Sequence, residues 1–206
     1  MFYNILDEKR RKVLPYLKNF KEDFYLAGGT ALALQIGHRD SIDFDFFSEK
    51  KVDTKKLFEK IRVVFVGQKV VKVQDELNTL TVLIDKSVKL SFFGYNYSLL
   101  EELINEPNLK LASVLDIASM KLIAITSRAS NKDYIDLYYL LQDISLKDLL
   151  DKTSKKFPEV DRNLVLKSLV YFADIEIEPI LFKNDKKIDF EQIKDFLKEE
   201  VFKLKI

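Results

Sequence analysis

An α+β fold is what this sequence predicts, and three observations predict it. Short β-branched and aromatic runs crowd the first half. Helical spacing of apolar residues governs the second half. An apolar run, Phe24 to Ala27, stops at Gly28-Gly29-Thr30, and thirteen residues after Thr30 begins the alternation Asp43-Phe44-Asp45-Phe46. Strands gathered ahead of helices argue for an α+β core, expected over residues 1–100, with a helical C-terminal domain over 101–206.

Each element follows from local signals. Ile5 to Phe20 has helical spacing broken at Pro15, which predicts a helix with a kink or break there. Phe24–Ala27 reads as a short strand ended by the glycine turn. Thr30 is placed to cap a helix running to about Ile36, and a loop over Gly37-His38-Arg39-Asp40-Ser41 leads to the acidic strand. His38 reads as a solvent-facing loop residue. Val52–Val64 carries Leu57, Phe58, Ile61 and Val64 on one stripe, the pattern of an amphipathic helix. Residues 69–74, 78–84 and 88–95 read as antiparallel strands, with Asp85-Lys86-Ser87 as a hairpin turn. Helices are expected over 99–104, 113–128, 131–143, 145–155, 160–173 and 189–203.

The glycine turn and the acidic strand carry chemistry. Two glycines let the backbone take positive φ and approach a bulky anion, because no Cβ intervenes. The first N–H groups of the following helix are unpaired and favour phosphate oxygens. In the strand, Ile42, Phe44 and Phe46 are expected to face the core, with Asp43 and Asp45 together on the other face. Neighbouring carboxylates repel unless a cation sits between them, and hard oxygens suit Mg²⁺ or Mn²⁺. The pair therefore predicts a nucleoside triphosphate held through a divalent metal, with Gly28, Gly29 and Thr30 around its phosphates.

Composition excludes other classes. The chain has 206 residues, 47% hydrophobic and 33% charged, ordinary values for a globular protein. It has no cysteine, which rules out disulfides and thiolate metal sites and points to the cytoplasm. A single histidine argues against a zinc site or a Ser-His-Asp triad. The first residues carry no apolar signal core, and no run is long enough to cross a membrane. A net charge of +1 offers no global field for nucleic acid.

A second constellation lies in the helical half. Lys121 and Arg128 are seven residues apart and Asp133 and Asp136 three apart, so each pair shares a helix face. Ala129-Ser130-Asn131 is the turn expected to bring these faces together. Asp133 reads either as the acid of a capping box on Ser130 or as part of a site. Asp136 neighbours an apolar stripe, where a carboxylate needs a partner. Arg128 reads as a partner of these acids or as a nucleotide contact. Arg39 reads either as a phosphate clamp or as a partner of Asp40 or Asp43.

"GGTALALQIGHRDSIDFDFF" resembles the signature of the nucleotidyltransferase fold shared with DNA polymerase β. "LASVLDIASMKLIAITSRASNKDYIDLYYLL" resembles the second block of the AbiEii/AbiGii-type nucleotidyltransferase toxins of abortive-infection and toxin–antitoxin systems. The resemblance covers roughly residues 20 to 145. It implies a polymerase β-like core, a mixed sheet flanked by helices, that moves an NMP from an NTP to a macromolecular acceptor. That acceptor is a tRNA 3′ end or a protein, with a cognate antitoxin as partner. It implies metal binding by Asp43 and Asp45, charge neutralisation by Lys121, and a role for Asp136 in positioning that lysine or acting on the acceptor. Arg39 and Ser41 match the family pattern just before the acids.

The same resemblance leads one to expect a third carboxylate on the strand Val88–Phe93, and Ser91 stands about where it should be. Asp85, Asp75 and Glu76 are poorly placed substitutes. The acid-free strand supports an alternative, a catalytically silent nucleotide-binding or protein-interaction module. Nucleotidylation of a small molecule shares the chemistry and differs only in acceptor.

Overall fold

The computed structural model describes residues 1–128 and 130–204. Its elements begin and end on the capping and breaking residues of the sequence. Asp7 accepts a hydrogen bond from the Arg10 N–H at 2.9 Å and starts α1 (Glu8–Val13). Pro15 lies in the first turn of a 3₁₀ segment, Leu14–Asn19, which gives the break expected there. β1 (Tyr25–Ala27) runs directly into α2 (Gly28–Ile36), which closes on Gly37 in the left-handed conformation, φ +65°. After β2 (Asp43–Ser48), Asp53 caps α3 (Thr54–Val64), so that helix starts two residues later than its apolar stripe suggested.

β3 (Val70–Glu76), β4 (Thr79–Ile84) and β5 (Val88–Gly94) form an antiparallel meander. The turn between β4 and β5 places Asp85 and Lys86 at φ +47° and +55°, the two left-handed residues of a primed hairpin turn. Two short strands follow, β6 (Ile104–Asn105) and β7 (Lys110–Leu111). The chain then becomes helical: α4 (Val114–Ser127), α5 (Asn131–Leu140), α6 (Leu146–Lys156), α7 (Arg162–Leu169) and α8 (Phe190–Lys203).

Among the described residues the strands make one mixed sheet in the order β3-β4-β5-β2-β1-β7-β6. β2 pairs parallel with β5 and antiparallel with β1, while β7 joins β1 in parallel. The sheet thus runs past residue 100, the expected end of the core, and finishes at Leu111. One face is apolar. Phe44 and Phe46 stand in register with Leu90 and Phe92, all buried, and the rings of Phe46 and Phe92 stack at 5.0 Å. The opposite face of the same two strands carries Asp43 and Asp45, Lys89 and Ser91. Ile42, expected in the core, is 49% exposed, because β2 starts only at Asp43 and Ile42 still belongs to the loop.

The helix expected over 99–104 does not form, and Asp116 supplies the reason. This fully buried carboxylate, in the first turn of α4, accepts the backbone N–H groups of Leu100 (2.9 Å) and Glu101 (3.2 Å) and the Ser113 hydroxyl (2.9 Å). Lys156 of α6 closes the arrangement, donating to Asp116 at 2.7 Å and to the Ser98 carbonyl at 2.6 Å. The extended segment after β5 is thereby tied to two helices through one ion pair with no solvent exposure. Removing one member of such a pair strands the other charge in the core. Lys156→Ala is expected to lower unfolding free energy by about 3–5 kcal/mol in urea titrations. The Asp116→Asn/Lys156→Met double variant should lose less than the two single losses combined.

Candidate active site

The glycine turn is shaped by its neighbours. Gly28 sits at φ +69°, and a Cβ there would stand 3.2 Å from Asp45 Oδ2. A Cβ on Gly29 would stand 2.8 Å from Arg39 Nη2, so the guanidinium held on Asp136 would have to shift. The two glycines therefore let the start of α2 press against Asp45 and Arg39 together. Thr30 is not the cap it was expected to be, since α2 has already begun at Gly28. It is buried, its hydroxyl hydrogen-bonded to the Asp43 carbonyl and 2.7 Å from Ser41 Oγ. It pins the acidic strand to the helix.

Behind this turn lies a run of buried charge. Asp136 of α5 has no solvent exposure, and Arg39 meets it fork to fork, Nε to Oδ1 at 2.7 Å and Nη2 to Oδ2 at 2.8 Å. The Lys121 ammonium lies 2.6 Å from Asp136 Oδ2 and 2.6 Å from Asp133 Oδ1. Arg128 completes the chain, with Nε 2.8 Å and Nη2 3.1 Å from Asp133. His38, expected in solvent, is fully buried, with Nε2 2.6 Å from Asp136 Oδ1, while its Nδ1 finds no partner among the described residues.

These contacts settle several alternatives. Arg39 pairs with Asp136 and donates to the Asp40 carbonyl at 2.8 Å; the side chains of Asp40 and Asp43 are not its partners. Asp133 is no capping-box acid, because Ser130 makes no side-chain cap bond and both Asp133 oxygens are taken by Lys121 and Arg128. Arg128 ends α4 rather than lying on it, so it reaches Asp133 from the helix terminus with a largely exposed side chain. Ala129, part of the expected turn, lies outside the described residues.

Charge states follow from these surroundings. Burial alone would push Asp136 up, but the charges of Arg39 and Lys121 and the hydrogen bonds from His38 and Arg39 hold it well below the usual carboxylate range. Asp133 is lowered in the same way, burial opposing and Lys121 and Arg128 prevailing. Burial keeps His38 below its ordinary value, against the pull of Asp136. Asp45 goes the other way: burial first, and then the charge of Asp43, raise it. A cation between the two strand carboxylates would relieve that repulsion.

A cavity of about 660 Å³ opens over these residues. Asp43, Asp45, Gly29 and Ser41 line one side, and Lys121, Arg128, Asp133 and one edge of Arg39 line another. Thr30 and Asp136 are buried behind this wall, and Gly28 is not among the residues that line it. Two features had no reading in the sequence, the segment around 174–179 and Lys89, and a third, His38, had the wrong one. The segment around 174–179 brings Asp174, Glu176 and Glu178 to the mouth, where Glu178 meets Lys132 at 2.6 Å. His38 anchors the rear. Lys89 of β5 stands opposite Asp43 in the parallel register and lies 2.9 Å from its Oδ2. Ser91 is paired with Asp45, and β5 carries no acid. Of the candidate substitutes, Asp85 accepts the Lys69 N–H, Asp75 pairs with Lys72, and Glu76 is exposed at the end of the edge strand β3. Among the described residues no group of three His, Cys, Asp or Glu side chains could hold a metal by itself. Two hard carboxylates suit a divalent ion whose remaining ligands are phosphate oxygens and water.

A glycine-opened helix, paired carboxylates on the next strand and lysine and arginine across the cavity define a nucleotidyltransferase. The chain belongs to the family described as Nucleotidyl transferase AbiEii toxin, Type IV TA system, which matches residues 16–203. It is 40% identical over 185 residues to an uncharacterized protein of Aquifex aeolicus (strain VF5), aq_aa25, covering 87% of this chain and 86% of that one. Its fold is similar to JHP933 from Helicobacter pylori, with TM-score 0.63, 20% identity and coverage of 97% and 95% of the two chains. It is also similar to MenT4, the nucleotidyltransferase toxin Rv2826c of Mycobacterium tuberculosis H37Rv. There the TM-score is 0.62, with 15% identity and coverage of 94% and 82%. The family and the mixed-sheet α+β fold expected from the two sequence blocks are borne out. No helix of the described residues is long and apolar enough to cross a membrane.

Asp136→Asn removes the compensation for Arg39 and Lys121 and should lower stability by about 3–5 kcal/mol near neutral pH. A lowered folded pKa contributes stability that is complete above the unfolded value of about 3.9 and is lost as pH falls toward the folded value. The gap between wild type and variant in urea titrations should hold from pH 7 to about 5 and narrow in more acid solution.

Proposed function

We propose that the cavity binds an NTP with a divalent metal, Mg²⁺ or Mn²⁺, on Asp43 and Asp45, and that the enzyme transfers the NMP to a macromolecular acceptor. The observation that carries this reading is the convergence of Asp43, Asp45, Lys121 and Arg128 on one cavity beside the first turn of α2. An acceptor hydroxyl oxygen forms the new bond to the α-phosphorus and releases its proton to solvent water, while the bond from that phosphorus to the α,β-bridging oxygen breaks and pyrophosphate leaves. When bound, the metal supplies Lewis-acid stabilisation of the phosphoryl oxygens. Gly29 and the first N–H groups of α2 face the β and γ phosphates, together with Ser41 and one edge of Arg39. Lys121 and Arg128 neutralise charge that grows on the leaving pyrophosphate.

Asp136 acts as a positioning residue in this scheme. Both of its oxygens already accept bonds from Arg39, Lys121 or His38. It fixes the lysine and takes no proton from the acceptor. Following the family, the acceptor is a tRNA 3′ end, the protein is the toxin of a two-gene module in the cytoplasm, and an antitoxin is its partner. The acid-free β5 supports a second reading, a silent nucleotide-binding module, which predicts binding without pyrophosphate release.

Purified protein, Mg²⁺, each α-³²P-labelled NTP in turn and total bacterial tRNA separate the two. Label should move to RNA, and Asp45→Asn should cut the rate at least about 100-fold, the loss expected when a metal ligand goes. Label on protein would identify the other acceptor class. Label retained on the NTP, with the nucleotide still raising thermal stability, would favour the silent module.

A further inference from the structure

β2 and β5 run parallel, with Asp43 opposite Lys89 and Asp45 opposite Ser91. Because side chains alternate along a strand, these four residues share the face that carries the candidate site. Two divalent ions held side by side on such a face bring four positive charges together, which further carboxylates on the second strand would offset. Here the second strand offers an ammonium. Lys89 Nζ lies 2.9 Å from Asp43 Oδ2, and that oxygen is turned toward the lysine. The next strand adds no acid to this face either, since Thr81 and Leu83 of β4 stand beside Ser91 and Lys89.

We propose that Lys89 is a built-in cation that replaces one metal ion, so that the site takes a single divalent ion with the nucleotide. The inference rests on the nucleotidyl-transfer reading and deepens it. Lys89 occupies one oxygen of Asp43, which leaves that carboxylate unable to bridge two ions. Its positive charge also repels a second divalent ion from the same position. The lysine is a positioning residue: it holds Asp43 and balances its charge, and Asp45 with the free oxygen of Asp43 remains for the one ion. Lys89 and Asp43 are both partly exposed, so the lysine can be replaced without opening the core. A partly exposed pair of this kind stabilises a fold only slightly. Any large effect of replacing Lys89 therefore belongs to the site.

The test counts bound ions by Mn²⁺ electron paramagnetic resonance, titrating the full chain in the presence of a non-hydrolysable α,β-methylene NTP. The wild type should bind one Mn²⁺ per chain with the analogue. Lys89→Asp, which returns an acid to β5, should bind two. In the labelled-NTP assay Lys89→Ala should lose at least about tenfold in rate, and Lys89→Arg, which keeps the charge, should recover most of it. Two ions in the wild type, one ion in Lys89→Asp, or an unchanged rate in Lys89→Ala would each overturn the role of the lysine and leave the nucleotidyl-transfer reading standing. A wild type that binds neither Mn²⁺ nor the analogue would overturn that reading, and the lysine's role with it.

Discussion

A carboxylate shut away from water must find its compensation inside the protein, and Asp136 finds it from three directions. Arg39 and His38 come from the loop between α2 and β2, and Lys121 comes from α4. Together the contacts tie that loop and α4 to α5. The loop they fix is the one that delivers Ser41 and then the acidic strand, so the position of Asp43 and Asp45 depends on an ion cluster behind them. Burying these charges is costly, and a hydrophobic substitute of the same shape would often be as stable. What such a substitute could not do is hold a lysine and an arginine at the cavity wall with their orientation fixed.

The cluster also grades its cations. Lys121 is buried and shared between two carboxylates, so it is already ordered when a nucleotide arrives. Arg128 is largely exposed and among the described residues pairs only with Asp133, a contact that water screens and that stabilises little. It can turn toward an entering phosphate at small cost. Asp133 is what makes the two work together, because it holds both cations on one side of the cavity against their mutual repulsion.

How much of this was readable depends on the range of the contact. The glycine turn, the alternation of the acidic strand and the hairpin turn at Asp85-Lys86-Ser87 are local, and the structure keeps them. Local misreadings shift an element's start by a residue or two, as at Thr30, Ile42 and Val52, whereas the larger failures are long-range. Leu99–Ile104 has helical composition, yet the N–H groups of Leu100 and Glu101 are taken by Asp116, more than ten residues away. His38 looks like any polar loop residue until Asp136, 98 positions later, folds against it. The segment from Asp174 to Glu178 has no motif, and its place at the cavity mouth comes from bridging α5 through Lys132 and Asn131. Lys89 needed the register of two strands that are parallel and 46 residues apart, which no periodicity within either strand encodes.

That register also explains why the missing acid does not leave the sheet unbalanced. Asp43 and Asp45 are held on one face by the burial of Phe44 and Phe46 on the other, so the strand cannot rotate to separate its carboxylates. Repulsion between them has to be met from outside the strand. Lys89 meets it at Asp43, from the side, at a distance of 2.9 Å. Asp45 has no such neighbour: its in-register partner is a serine, and burial leaves it with a raised pKa. The uncompensated charge is thus concentrated on one carboxylate that lines the cavity, beside the glycine turn. A divalent cation arriving with a triphosphate would neutralise it there, where the phosphates also meet the N–H groups of α2.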